Sequence, residues 1–82
     1  MTASAARVTL YSRPGCHLCD DARAVVAQVC AELGEDYVEI SVADDPELLR
    51  RYGDEIPVTL VDGARHDFWR VDPARLRAAL TR

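Results

Sequence analysis

Apolar and polar positions change period several times along this chain, and each change predicts an element. Arg7 to Tyr11 (RVTLY) is β-branched and apolar, which predicts a buried central strand, and Ser12-Arg13-Pro14-Gly15 is loop chemistry. From Leu18, apolar residues recur at Ala22, Val25, Val26, Val29 and Leu33, the stripe of an amphipathic helix, and Gly34 follows as a stop. Asp20 and Asp21 suit the first turn of that helix, where the dipole is positive. Tyr37 to Val42 alternates with period two and predicts a second strand, parallel to the first through a right-handed helical crossover. Asp45-Pro46 caps a short helix running through Leu48 and Leu49 to about Tyr52, and Gly53 ends it. Ile56-Pro57 then leads into Val58–Val61, Asp62-Gly63 signals a hairpin, and Ala64 to Trp69 returns as a weaker strand. Asp72-Pro73 opens a last helix with Ala74, Leu76, Ala79 and Leu80 on its apolar face. The order is β-α-β-α-β-β-α, a parallel βαβ half followed by an antiparallel ββα half.

Composition narrows this picture. The chain has 82 residues, 49% of them hydrophobic, enough for one small core. No linker or repeat divides residues 1–82, so they read as a single α/β domain. Neither a secretion signal nor an apolar run of about 18 residues occurs, so a cytoplasmic protein with no membrane partner is expected. The net charge is −4, and the ten basic residues are all arginine, scattered rather than gathered into a stripe. Nucleic acid is therefore not expected as a partner. The absence of lysine fits a GC-rich coding genome better than a demand for bidentate anion recognition.

Three cysteines do not form an even disulfide framework, and a reducing cytosol would keep structural bridges open. Chemistry is the better account of Cys16-His17-Leu18-Cys19, which stands between the first strand and the first helix. Positions i and i+3 at a helix start share a face, so the two thiols can close a reversible disulfide. Cys16 lies nearest the loop and the unpaired N–H groups of the helix start and is the candidate nucleophile. In such settings a thiol that titrates near pH 8.5 can fall to roughly 3.5 to 7.5. Arg13 and His17 can add positive charge there or simply face solvent, whereas Asp20 and Asp21 oppose thiolate formation, so the sequence leaves the net sign open. Cys30 lies on the apolar stripe and reads as a buried, inert side chain. No second short-spaced ligand pair accompanies the motif, so neither a metal site nor a bridged iron-sulfur cluster is expected.

The element order, the Cys-x-x-Cys after the first strand and the downstream Ile56-Pro57 together resemble the thioredoxin fold, specifically its glutaredoxin branch. Tyr11-Ser12-Arg13-Pro14-Gly15-Cys16-His17-Leu18-Cys19 is similar to the glutaredoxin segment in which a basic residue and a proline precede the cysteines. A bacterial glutaredoxin-like domain family, with a related cysteine motif and a tryptophan-containing segment before its last helix, is also similar. The resemblance implies a four-stranded mixed sheet of order 2-1-3-4 flanked by helices, with Cys19 as the resolving thiol. It implies a cis-proline at Pro57 whose neighbour Ile56 pairs with extended substrate, and Arg13 as a substrate-side basic residue; His17, beside Cys16, is counted on the substrate side from its position alone. It further implies a monomeric oxidoreductase acting on protein disulfides or mixed disulfides, with no tightly bound cofactor. Its reductant would be a flavoenzyme or a low-molecular-weight thiol such as glutathione or mycothiol. Glutathione-binding glutaredoxins carry Gly-Gly before the last helix; here Asp67-Phe68-Trp69-Arg70-Val71-Asp72 replaces it with bulky side chains that would obstruct the tripeptide. Trp69 and Arg70 either build a different recognition surface or take ordinary packing and surface roles. A reading from another class keeps the fold but makes the chain a protein-binding module without turnover.

Overall fold

The sheet places its strands in the order β2-β1-β3-β4 in a computed structural model that describes residues 6–81. β1 (Val8–Ser12) leads to α1 (His17–Leu33) and β2 (Tyr37–Ser41). A single 3₁₀ turn over Val42–Asp44 and α2 (Pro46–Tyr52) follow, then β3 (Val58–Val61), β4 (Ala64–Phe68) and α3 (Pro73–Thr81). β1 pairs parallel with β2, Val8 opposite Tyr37, and antiparallel with β3, Val8 opposite Val61. β3 and β4 form the terminal hairpin. Asp62 (φ 52°) and Gly63 (φ 82°) both take the left-handed conformation that a two-residue hairpin turn requires. This is the thioredoxin-like α/β architecture, with the mixed four-stranded sheet expected from the sequence.

The pleat divides the apolar side chains into two clusters. On one face Val8, Leu10 and Val61 meet Ala22, Val26, Val29 and Cys30 of α1 and Leu76, Ala79 and Leu80 of α3. In the other cluster Ile56, Val58, Val42 and Cys19 are joined by Tyr11, Leu48 and Tyr52. α1 ends as the glycine predicted, with Gly34 left-handed at φ 68° and donating its N–H to the Cys30 carbonyl. Asp45 caps α2 by accepting the N–H groups of Glu47 and Leu48.

Several boundaries differ from the sequence reading. β1 is displaced by one residue to include Ser12, and β2 stops at Ser41 because Val42 turns inward, fully buried, to begin the 3₁₀ turn. On this edge strand Val38 and Ile40 stay 43% and 40% exposed. Ala74 lies on the exposed side of α3, since only Leu76, Ala79 and Leu80 of that helix are buried. β4 ends at Phe68, because Trp69 leaves the strand with φ 65°. Among the described residues no helix is long and apolar enough to cross a membrane.

Candidate functional site

β1 delivers the chain to the site through Ser12, whose hydroxyl donates to Glu39 Oε2 at 2.6 Å. The same carboxylate accepts two bonds from Arg23 of α1, both 2.7 Å, so β1, β2 and α1 are locked together just below the cysteines. Hydrogen bonding from Arg23, assisted by Ser12, holds the Glu39 carboxyl below the usual carboxylate range. Gly15, left-handed at φ 72°, turns the loop into α1.

Cys16 occupies the N-cap of α1 with extended backbone, and its Sγ accepts the Cys19 N–H at 3.1 Å. A sulfur thus takes the place usually held by a serine or aspartate oxygen. Cys16 is partly exposed, whereas Cys19 one turn later has no exposed surface; both thiols are free. Burial, followed by the hydrogen bond with Cys16, pushes the Cys19 thiol up to about 11, against an opposing pull from the Arg13 backbone and charge. Arg13 and His17 are exposed, and among the described residues neither side chain has a hydrogen-bond partner. Cys30 lies in the other core cluster, and burial together with Glu35 and Asp36 pushes its thiol up as well.

The Ile56–Pro57 bond is cis, which the sequence alone left open. Pro57 is fully buried, and Ile56 packs in the same cluster as Cys16 and Cys19. The structure thus brings Cys16, Cys19 and Ile56 into one cluster, with the buried Pro57 next to Ile56 in the chain. The Ile56 backbone has no hydrogen-bond partner among the described residues.

Sequence reasoning missed what holds that loop. Trp69 donates its backbone N–H to the Pro57 carbonyl at 2.7 Å, and its indole Nε1–H to the Asp54 carbonyl at 3.2 Å. Arg70 N–H donates back to the Phe68 carbonyl at 2.8 Å, closing a three-residue turn around the left-handed Trp69. Such a conformation costs a non-glycine residue about 1–3 kcal/mol, so these bonds must outweigh it. Beside the motif, Leu18, Ile56, Phe68, Trp69 and Arg70 line an open groove of about 320 Å³. A concavity of about 330 Å³ at the other end of the sheet is lined by Arg7, Asp62, Arg65 and His66 and contains no thiol.

The glutaredoxin-like domain family (DUF836) matches residues 7–81. The chain belongs to this family. Among individual relatives of this glutaredoxin-like domain, the uncharacterized protein Rv0508 of Mycobacterium tuberculosis is 38% identical over 81 residues, covering 93% of this chain and 84% of its own. The X-ray structure of target protein XcR50 from X. campestris is similar with a TM-score of 0.75 and 38% identity, covering 90% of this chain and 95% of that one. Fasciola hepatica thioredoxin, at 20% identity and TM-score 0.60 over 90% of this chain and 76% of its own, shares the fold. A glutaredoxin-like domain with a Cys16–Cys19 pair at the start of its first helix has the scaffold for thiol-disulfide chemistry.

Proposed function

We propose that this glutaredoxin-like domain is a small dithiol oxidoreductase that reduces protein disulfides or mixed disulfides with a low-molecular-weight thiol. The observation that carries this reading is the arrangement of the two sulfurs. Cys16 Sγ is partly exposed at the helix N-cap and receives the Cys19 N–H, while Cys19 is buried one turn behind it. The Cys16 thiolate attacks one sulfur of the substrate disulfide, forming a mixed disulfide and expelling the other sulfur as a thiolate. Cys19 then loses its proton and attacks Cys16 Sγ, which releases the second substrate thiolate and closes a Cys16–Cys19 disulfide. Two electrons and, after protonation, two protons have passed to the substrate. Resetting the protein takes two equivalents of a small thiol, glutathione or mycothiol, or one turnover of a reducing flavoenzyme.

In this reading Arg13 and His17 face the incoming substrate, and the unpaired backbone of Ile56, beside Pro57, hydrogen-bonds an extended segment of it. The domain works as a monomer in the reducing cytoplasm, with no tightly bound cofactor. An anaerobic titration against thiol/disulfide buffers, with alkylation and mass spectrometry, tests the cycle. A reversible Cys16–Cys19 couple with a midpoint between about −270 and −120 mV is expected, together with loss of disulfide reduction in Cys16→Ser. Absence of a reversible bridge, or a bridge through Cys30, would refute the cycle and leave a thioredoxin-fold binding module.

A further inference from the structure

Of the exposed large apolar side chains, Phe68 and Trp69 stand 44% and 51% open, and both line the groove that Leu18 of the cysteine motif and Ile56 complete. The edge-to-face Phe68–Trp69 pair forms an apolar wall of this groove beside the cysteine motif, a surface open to a partner. Two further observations define the occupant. Ile56 at the groove leaves its backbone N–H and carbonyl without partners among the described residues, which suits an extended polypeptide. The Arg70 guanidinium has no ion-pair or hydrogen-bond partner among the described residues; Arg13 and Arg51 are likewise unpaired, but of these three it is Arg70 that lines the groove.

Building on the dithiol reading above, we infer that the substrate is an extended polypeptide whose disulfide cysteine is flanked by a large apolar side chain and, next to it, an acidic one. The apolar side chain enters the groove between Leu18, Ile56, Phe68 and Trp69, and the carboxylate meets Arg70. A small polar thiol compound bound as a mixed disulfide leaves this apolar surface uncovered. Trp69 is therefore the specificity-determining residue, and the backbone bond to Pro57 holds it in place.

The test is single-turnover reduction by the prereduced full chain, in which its dithiol becomes the Cys16–Cys19 disulfide and the substrate disulfide becomes two thiols. The substrates are two peptide disulfides that share a glutamate and differ only in leucine or serine beside the cysteine, with bis(2-hydroxyethyl) disulfide as a probe that has no flanking side chains. The leucine peptide should react about tenfold faster than the serine peptide, the discrimination one apolar side chain supplies in a pocket. Exchanging its glutamate for lysine should slow it about threefold at low salt. Trp69→Gly accommodates the positive φ while removing the indole, so this variant should bring the leucine-to-serine ratio down to about two, and Trp69→Phe should restore most of it. Equal rates for the two peptides, alongside reduction of the small disulfide, would overturn the groove assignment and leave the dithiol reading standing. Failure to reduce any of the three substrates would sink both. As the chain's one tryptophan, Trp69 also reports by fluorescence. A concentration-dependent dimer that shields it from acrylamide, with no peptide preference, would give the groove to a second copy and overturn the inference.

Discussion

If Cys19 resolves the mixed disulfide, its ionisation should set the pH dependence of that step. The thiol has no exposed surface and is pushed up to about 11 from an ordinary 9.0, mainly by burial. Near pH 7 the thiolate is then about one part in ten thousand, rather than about one in a hundred. Once Cys16 is joined to substrate its thiol no longer interacts with Cys19 as before, but burial, the largest cause, stays. The resolution rate should therefore still be climbing at about pH 9.5. Between about pH 8.5 and 9.5 it should rise well over threefold and toward tenfold, against about two- to threefold for a thiol titrating at its ordinary value of about 8.5 to 9. A stopped-flow reaction with an aromatic disulfide that releases a coloured thiolate separates the steps: the first equivalent appears when Cys16 attacks, the second when Cys19 resolves. A second phase that levels off by about pH 9, or rises threefold or less over that interval, would refute the assignment of Cys19 as a buried, proton-retaining resolving thiol.

The scaffold makes further predictions. Leu76→Ala empties a fully buried position between α3 and α1 and should cost about 2–5 kcal/mol, seen as a lower urea midpoint at unchanged slope; a loss under about 1 kcal/mol would contradict that packing. Arg23→Gln removes both bonds to Glu39, whose carboxyl is held low in the folded chain, along with a more exposed ion pair to Asp20 that contributes little. Because a depressed carboxyl contributes stability above its unfolded value and loses it as pH falls through the folded value, the gap between wild type and variant should be full above about pH 5 and shrink progressively as pH falls below the unfolded value of about 4.3. Thermal unfolding across that range checks this, and a gap that persists unchanged to about pH 3 would show that Glu39 is not responsible. Cys30 should resist iodoacetamide until the chain is unfolded in denaturant, and Cys30→Ala should leave the Cys16–Cys19 midpoint potential unchanged; a shifted potential would mean that Cys30 is coupled to the motif.

The elements were legible because their signals are local. Periodicity marked α1 and β3, Asp45-Pro46 and Gly34 marked helix ends, and Asp62-Gly63 marked a turn whose positive φ angles suit those residues. Cys16 and Cys19 were legible for the same reason, since one helical turn separates them. Errors gathered where tertiary context decides. Nothing in Ala74 itself distinguishes it from Ala79, yet the seating of α3 on the sheet exposes the first and buries the second. Val42 continues the alternation of β2 but is drawn into the cluster with Cys19, Ile56 and Val58, and the strand ends before it.

Trp69 shows why the cysteines were easier to read than the surface around them. Tryptophan favours extended backbone, so the sequence carried it into β4. Its observed conformation is imposed from elsewhere, by the carbonyls of Pro57 and Asp54, more than ten residues back. The same bonds fix the loop holding Ile56 at one side of the groove and leave the indole open at another. A residue that clamps the Ile56–Pro57 loop and lines the groove beside the motif ties the shape of that loop to the shape of the surface a partner meets. Replacing it should therefore alter which disulfides are reduced more than whether the dithiol can form its bridge, because the contact between the Cys19 N–H and Cys16 Sγ lies within α1 and its cap and does not pass through Trp69.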